Sequence, residues 1–490
     1  MMRRSSELWR RSLATRLLAS LGIIALLLIP TQAGAAGGTS NQVNNYSGLN
    51  STQQAELLNI AKDTWNFFKV DVDSATNLPM DNVTFAGGSA TPTSYGRYTS
   101  AANIGVYLWS VVAANDLGLI SRTEADSRLT ATLTELHNMQ RYRGFLYQWY
   151  STATGQVNAD TNGTSCAGHN PTPAGSDPYH LCIQISQVDN GWYASGLIVV
   201  REAMPELTHL VDSLMAPMNF GIFYNSGPES ACNVYNNPSS PYNNQPTGQM
   251  YGVFYVGYPP AQYGQYYYEN GAFYSDPRIS AYVGMGLHQM PGNVWWRSWR
   301  ILPPKQCPTD PDFSWTGQGP GTGYWQTYTD PQSGQQFNVW EGHYTYPGSS
   351  LTFIPTWAGG MFEGQMVNQV VPESSWGPQS FGLADSRWAQ VQIKYATEQL
   401  GYPVWGMSPS STPDDTGNYD SYGVTGFAWP YSAKQGLSQC FACGANGPYP
   451  PGSVMEDVVT PHASFIAMDV APQEAYSNIE ALKAMPGLYG

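Results

Sequence analysis

Two aspartates stand where a carboxylate could do acid–base work. Asp189 is the only charged residue in the apolar run "ISQVDNGWYASGLIVV", Ile185 to Val200. Asp276 stands in "YENGAFYSDPRISAYVGMGL", directly before Pro277, Arg278 and a second apolar run. Hydrolysis of a glycosidic bond needs one carboxyl protonated and another ionised, and two aspartates at two helix mouths fit that need. Each also has a structural reading, as an N-cap whose carboxylate accepts a backbone N–H at the positive end of a helix, for Asp276 with proline at the first helical position. Trp192 and Tyr193 flank Asp189, and Arg278 could hold a neighbouring carboxylate ionised or bind a sugar hydroxyl. Glu341 in "VWEGHYTYP", beside His343 and Tyr344, is a third cleft candidate in an aromatic loop. Glu363 in "TWAGGMFEGQM" falls in the first turn of a helix, where the dipole favours a structural glutamate over a substrate contact. Rings with a polar tip suit sugars, whose C–H faces stack while hydroxyls seek hydrogen bonds; aromatics reach 13% of the chain, with 33 Tyr and 16 Trp.

Other chemistries lack their residues. The chain has no phosphate-cradling glycine loop, GxSxG elbow or HExxH motif, and nothing points to a cofactor. Cys440 and Cys443 form "CFAC", but no second pair or nearby Cys/His group completes a metal site. Six cysteines, at 166, 182, 232, 307, 440 and 443, are an even number, which suits disulfides in an oxidising compartment. Short loop closures pair Cys166 with Cys182 and Cys440 with Cys443, leaving Cys232 and Cys307.

Ten helical patterns, mostly paired, would position these residues. "STQQAELLNIAKDTWNFFKV", "SAANIGVYLWSVVAANDLGLI" and "SRTEADSRLTATLTELHNMQRY" come first, with a capping signal at Ser121 and Glu124 and a helix stop at Gly118. Further patterns cover residues 190–204, 206–215, 277–289, 357–370, 383–400, 461–470 and 472–485. Period-two alternation is confined to loops such as "GQYYYENGAFYS". A single all-α core of this length exceeds the usual size, whereas a closed ring of helical hairpins asks each pair to cover only its neighbours. An α/α toroid with long aromatic loops is therefore the expected architecture; an elongated solenoid would show a fixed-period repeat, and none is found.

The N-terminus carries arginines at 3, 4, 10, 11 and 16, an apolar stretch from Leu17 to Ile29 and small residues at Ala33 and Ala35, the pattern of a secretory signal peptide. The expected organisation is a signal peptide over 1–35, a linker over 36–50 and one domain over 51–490, secreted, monomeric and without a stable membrane partner. Removing five arginines and one glutamate takes the formal charge from −14 to about −18, a poor match to nucleic acid.

Five ordered blocks, "QVDNGWYASGLIVVREAMPEL", "FYSDPRISAYVGMGL", "PTWAGGMFEGQM", "QIKYATEQLGYPVWGMSPSS" and "VTPHASFIAMDVAPQEAYSNI", resemble the glucoamylase-like proteins related to endo-β-1,2-glucanases and to the C-terminal domain of cyclic β-1,2-glucan synthases. The resemblance implies an (α/α)6 toroid acting on a glucan or similar polysaccharide, with β-1,2-glucan favoured. Asp189 matches the acidic position of the group's "VD/VE" block and Asp276 that of its "SE-x-R" block, which moves Asp189 from the cap reading toward catalysis or substrate binding. Two departures stand out. Asp276 is aspartate where relatives mostly carry glutamate, and "MSPSS", Met407 to Ser411, lacks the glutamate of the transglycosylating relatives, which favours hydrolysis. The chain stops at "MPGLYG", where relatives continue into another inner helix, so the resemblance also implies a ring lacking its last helix. Two other classes compete: a polysaccharide lyase, with Tyr344 or His343 as base and arginines neutralising a uronate, and a non-catalytic glycan-binding protein.

Overall fold

A computed structural model describes residues 48–85, 91–225, 250–259, 274–297, 322–331, 333–356, 359–411, 419–420, 422–424 and 458–485. The signal-peptide pattern, most of the linker, the last five residues "PGLYG" and Cys232, Cys307, Cys440 and Cys443 lie outside them.

Apart from α8, which had no pattern of its own, these helices fall where apolar periodicity places them: α1 (Ser51–Asp71), α2 (Ala101–Asp116), α3 (Arg122–Asn138), α4 (Gln187–Ala203), α5 (Thr208–Met215), α6 (Arg278–Gly286), α7 (Met361–Gln365), α8 (Glu373–Trp376), α9 (Phe381–Lys394), α10 (Pro461–Ile466) and α11 (Pro472–Lys483). Local chemistry sets several ends. Asn50 and Gln53 form a reciprocal capping box at α1, and the Ser121 hydroxyl accepts from the Glu124 amide at α3. Past α2, Gly118 takes φ +69°, a left-handed conformation that glycine adopts without strain. Several later helices are shorter than their patterns, because they pass into 3-10 turns after α7 and α10 and a π turn after α9.

Helix α4 is the spine, with twelve of its seventeen residues buried. It packs against α2 at near-backbone contact: a Cβ on Gly105 would stand 2.2 Å from the Trp192 carbonyl oxygen, and one on Gly196 would stand 2.3 Å from that of Gly105. On another side it meets α6, where a Cβ on Gly191 would collide with the Ser280 hydroxyl at 2.2 Å. Glycine at these three points is what lets three apolar helices lie close together. The first and last helices also meet, since the Tyr476 hydroxyl bonds the Glu56 carboxylate and Lys483 Nζ lies 3.8 Å from it.

The expectation of an all-α chain needs correction. Strands β1 (Asn82–Phe85) and β2 (Pro92–Gly96) pair, and so do β3 (Gln184–Ser186) and β4 (Val253–Tyr255). The longest are β5 (Thr322–Thr329) and β6 (Gln336–Thr345), an antiparallel hairpin in the stretch read as an aromatic loop. Trp296 stacks on Tyr328 and Phe337 of that hairpin at 5.2 and 6.1 Å between ring centroids, docking it on the helices.

Candidate active site

Helix α4 begins earlier than its apolar run. Ser186 is the N-cap, and its hydroxyl accepts from the Asp189 backbone N–H at 3.3 Å. Asp189 therefore sits in the first turn and does not cap it, which removes the cap reading. Two neighbours pin this turn on both sides. Asn190, buried, accepts from the Leu146 N–H at 2.8 Å and donates to the carbonyls of Leu146 and Ser186, tying the turn to the 145–149 segment. Gln187, also buried, donates to the Pro277 carbonyl at 2.9 Å, while the Ser280 hydroxyl donates to the Gln187 carbonyl at 2.7 Å. The turn carrying Asp189 is thus bonded directly to the turn carrying Asp276.

Asp276 does not cap α6 with its side chain either. The helix starts at Arg278 with Pro277 before it and no side-chain cap bond. The Asp276 backbone carbonyl accepts from the Ile279 N–H at 3.0 Å, and its carboxylate accepts from the Ser275 hydroxyl at 3.4 Å. Both carboxylates are left for other work.

Their electrostatics differ in a useful way. Burial raises the Asp189 carboxyl, while the Ser186 hydroxyl and the Gln148 amide, which donates to Oδ2 at 3.1 Å, pull it back. Burial also pushes Asp276 up to about 6; its own backbone N–H opposes this, and the negative charge of Asp189 adds to it. Arg278 lowers it further, and the Trp192 indole N–H does so while falling short of hydrogen-bonding geometry. Two carboxyls that feel each other's charge give up their protons in sequence.

Several expected substrate contacts turn out to be walls or struts. Arg278 is fully buried: its guanidinium grips both oxygens of Glu373 at 2.8 and 2.7 Å, donates to the Ser275 carbonyl at 2.9 Å and to that of Gly364, and lies over the rings of Tyr274 and Phe381. It does grip a carboxylate, but that carboxylate is Glu373 and no face remains for a sugar. Trp192 and Tyr193 are buried too, with Trp192 edge-on to Trp109 at 5.7 Å, so neither offers a stacking face. Tyr344 is buried beside Phe353. Glu363 is buried in the first turn of α7, where its carbonyl accepts from Arg278 at 3.4 Å. Glu341 and His343 are half-buried and share one face of β6, opposite to Tyr344, because side chains alternate along a strand. Trp295 packs against Tyr282 and Phe381. The side chains of Trp340 and Arg297, and all of Arg300, lie outside the described residues.

The structure adds residues that the sequence did not single out. Gln148 comes from the loop after α3, Gln184 from β3, and Glu373 from 95 residues beyond its partner Arg278. Behind Arg278, the Tyr274 hydroxyl donates to Asp385 Oδ1 at 2.8 Å, and burial together with the Glu373 charge pushes Asp385 well above the usual carboxylate range. Among the described residues no His/Cys/Asp/Glu group has the makings of a metal site.

Residues 59–221 match the model of a family described as a protein of unknown function, DUF3131, a span that includes Gln148, Gln184 and Asp189 but stops short of Asp276. Over 99 residues the chain is 39% identical to the cyclic β-(1,2)-glucan synthase NdvB of Rhizobium meliloti (strain 1021); the match covers 20% of this chain and 3% of that much longer protein. Among solved structures, the fold is similar to that of an endo-β-1,2-glucanase from Talaromyces funiculosus in complex with sophorose, at 12% identity, 89% of this chain, 78% of the other and a TM-score of 0.54. It is also similar to a provisionally assigned glucoamylase from Bacteroides caccae ATCC 43185, at 14% identity, 89% and 86% coverage and a TM-score of 0.51. The chain shares the fold of glucoamylase-like proteins and endo-β-1,2-glucanases, and its resemblance to that group stands.

Proposed function

We propose that the protein is a secreted glycoside hydrolase that cleaves a neutral glucan, β-1,2-glucan before others, with Asp276 as proton donor and Asp189 as its ionised partner. One observation carries the reading: two carboxylates from hydrogen-bonded, adjacent helix mouths, neither used as a cap, of which Asp276 feels the charge of the other. Asp276, held up to about 6, keeps its proton in mildly acidic solution and can deliver it to the leaving oxygen. Asp189 receives hydrogen bonds that favour its anion and can activate water or stabilise developing positive charge. Activity therefore falls above about pH 6, as Asp276 loses its proton. It falls again in stronger acid, as Asp189 gains one.

The likeness to an endo-β-1,2-glucanase supports the substrate class, and the contact between α1 and α11 supports a closed toroid for the whole chain. Export is supported by the N-terminal pattern and by the Cys166–Cys182 disulfide. No helix among the described residues is long and apolar enough to cross a membrane. A uronate lyase is disfavoured because Arg278 is consumed by Glu373 and Tyr344 is buried. The test is incubation of the mature protein with β-1,2-, β-1,3- and α-glucans, uronans and arabinans. Release of reducing ends from a glucan, without the ultraviolet absorbance of unsaturated uronates, is expected; cleavage of a uronan with that absorbance would overturn the assignment.

A further inference from the structure

Three polar side chains with no part in the acid–base step stand in line with Asp189. The Tyr255 hydroxyl donates to Gln184 Oε1 at 3.2 Å, Gln184 Nε2 donates to Gln148 Oε1 at 2.9 Å, and Gln148 Nε2 donates to Asp189 Oδ2 at 3.1 Å. Backbone pairing sets the line in place. Tyr255 is the cross-strand partner of Gln184 in the β3–β4 pair, and the Gln148 N–H donates to the Gln184 carbonyl at 3.1 Å. Gln184 and Tyr255 are buried, so water does not readily substitute for a missing member.

A carboxamide has one accepting and one donating end, so the sense of one bond dictates the sense of the next. The line can run all one way or all the other. In the observed sense every hydrogen points toward Asp189, whose Oδ2 must then be a bare acceptor. In the reverse sense Gln148 would present Oε1, and Asp189 would have to carry a proton. The terminal phenol can donate or accept and so permits either sense, but buried away from other charge it keeps its proton, which favours donation inward.

We infer that Tyr255, Gln184 and Gln148 form a directional hydrogen-bond relay that orients Asp189 and holds it as the anion, with Gln184 and Tyr255 acting as positioning residues through Gln148. The relay deepens the proposed hydrolase reading and rests on it for the use made of Asp189, though not for the titration itself. The other groups bearing on Asp189 are the Ser186 hydroxyl on its own turn and the Asp276 carboxyl from the turn before α6; Arg278 beyond that turn is committed to Glu373.

The test follows the Asp189 carboxyl by carbon-13 NMR in full-length mature protein labelled at aspartate, with its signal assigned by its loss in Asp189→Asn. Gln148→Met should raise the titration midpoint by about one unit, a tenfold lower ratio of anion to acid at a given pH. Tyr255→Phe, which removes one oxygen at the far end and spares the fold, should raise it by roughly a third of a unit. In the pH profile of kcat/KM on β-1,2-glucan, the acid limb should move up by the same amounts while the upper limb stays; a purely structural role would lower the whole profile without moving either limb. A midpoint unmoved in both variants overturns the relay. Should the midpoint move as expected in a protein that cleaves none of the glucans, the relay stands and the hydrolase reading falls.

Discussion

Replacing Arg278 separates two accounts of this residue. The sequence allowed it to touch sugar, whereas the structure gives it to Glu373 and to three backbone carbonyls at the junction of α6, α7 and α8. Arg278→Met keeps the stem but removes the charge, leaving Glu373 buried with, among the described residues, only the Tyr282 hydroxyl, at 2.8 Å, as a remaining side-chain donor. Breaking a buried pair from one side costs about 3–5 kcal/mol, mostly the penalty of the stranded charge. Arg278→Lys should recover only part of that loss, because an ammonium cannot reproduce the two-point grip. Urea unfolding of wild type and variants measures the change through the midpoint at constant slope. The fraction that remains folded should hydrolyse glucan with KM within about twofold of wild type, since an interaction absent from the bound state leaves substrate affinity alone. A variant of wild-type stability whose KM rises tenfold would rule out the structural role and return Arg278 to the substrate.

Two further outcomes test the scaffold. Gly196→Ala drives a methyl group into the Gly105 carbonyl of α2, a backbone atom that cannot swing aside, and should destabilise the protein by about 1–3 kcal/mol in the same urea assay. Peptide mass mapping should recover Cys166 joined to Cys182, and Cys166→Ser with Cys182→Ser should lower stability by roughly 3 kcal/mol, as loss of a cross-link over a 16-residue separation implies.

Much of the helical framework is legible in the sequence because its signals are local. Ser121 and Glu124, Gly118 and the apolar spacing of "GWYASGLIVV" act within a few residues of one another, and the helices start and stop close to those marks. The β5–β6 hairpin also carries a local signal, although part of the stretch reads as an aromatic loop. "TGYWQTYT" and "QFNVWEGHYT" are rich in aromatic and β-branched residues and flank "DPQSGQ", in which Gly334 takes φ +69°. At the candidate site the two aspartates could be found, Asp189 as the one charge in its apolar run and Asp276 at the start of the next one. Whether they cap their helices could not, because Ser186 is as good a cap and lies three residues earlier. Arg278 and Glu373 meet across 95 residues, and Gln148 reaches Asp189 across 41. No periodicity encodes a contact of that kind, and a lone glutamine in a loop has nothing to mark it.

That Asp189 and Asp276 carry the chemistry is tested most directly by turnover of β-1,2-glucan in Asp189→Asn and Asp276→Asn, each near-isosteric and compared at equal folded fraction. Loss of a positioned acid or base lowers the rate by roughly 10²–10⁴-fold. A kcat reduced on that scale is expected in both variants, with thermal midpoints within a few degrees of wild type because neither carboxylate caps its helix. Either variant turning over glucan within tenfold of wild type, or losing activity only in step with its stability, would contradict it.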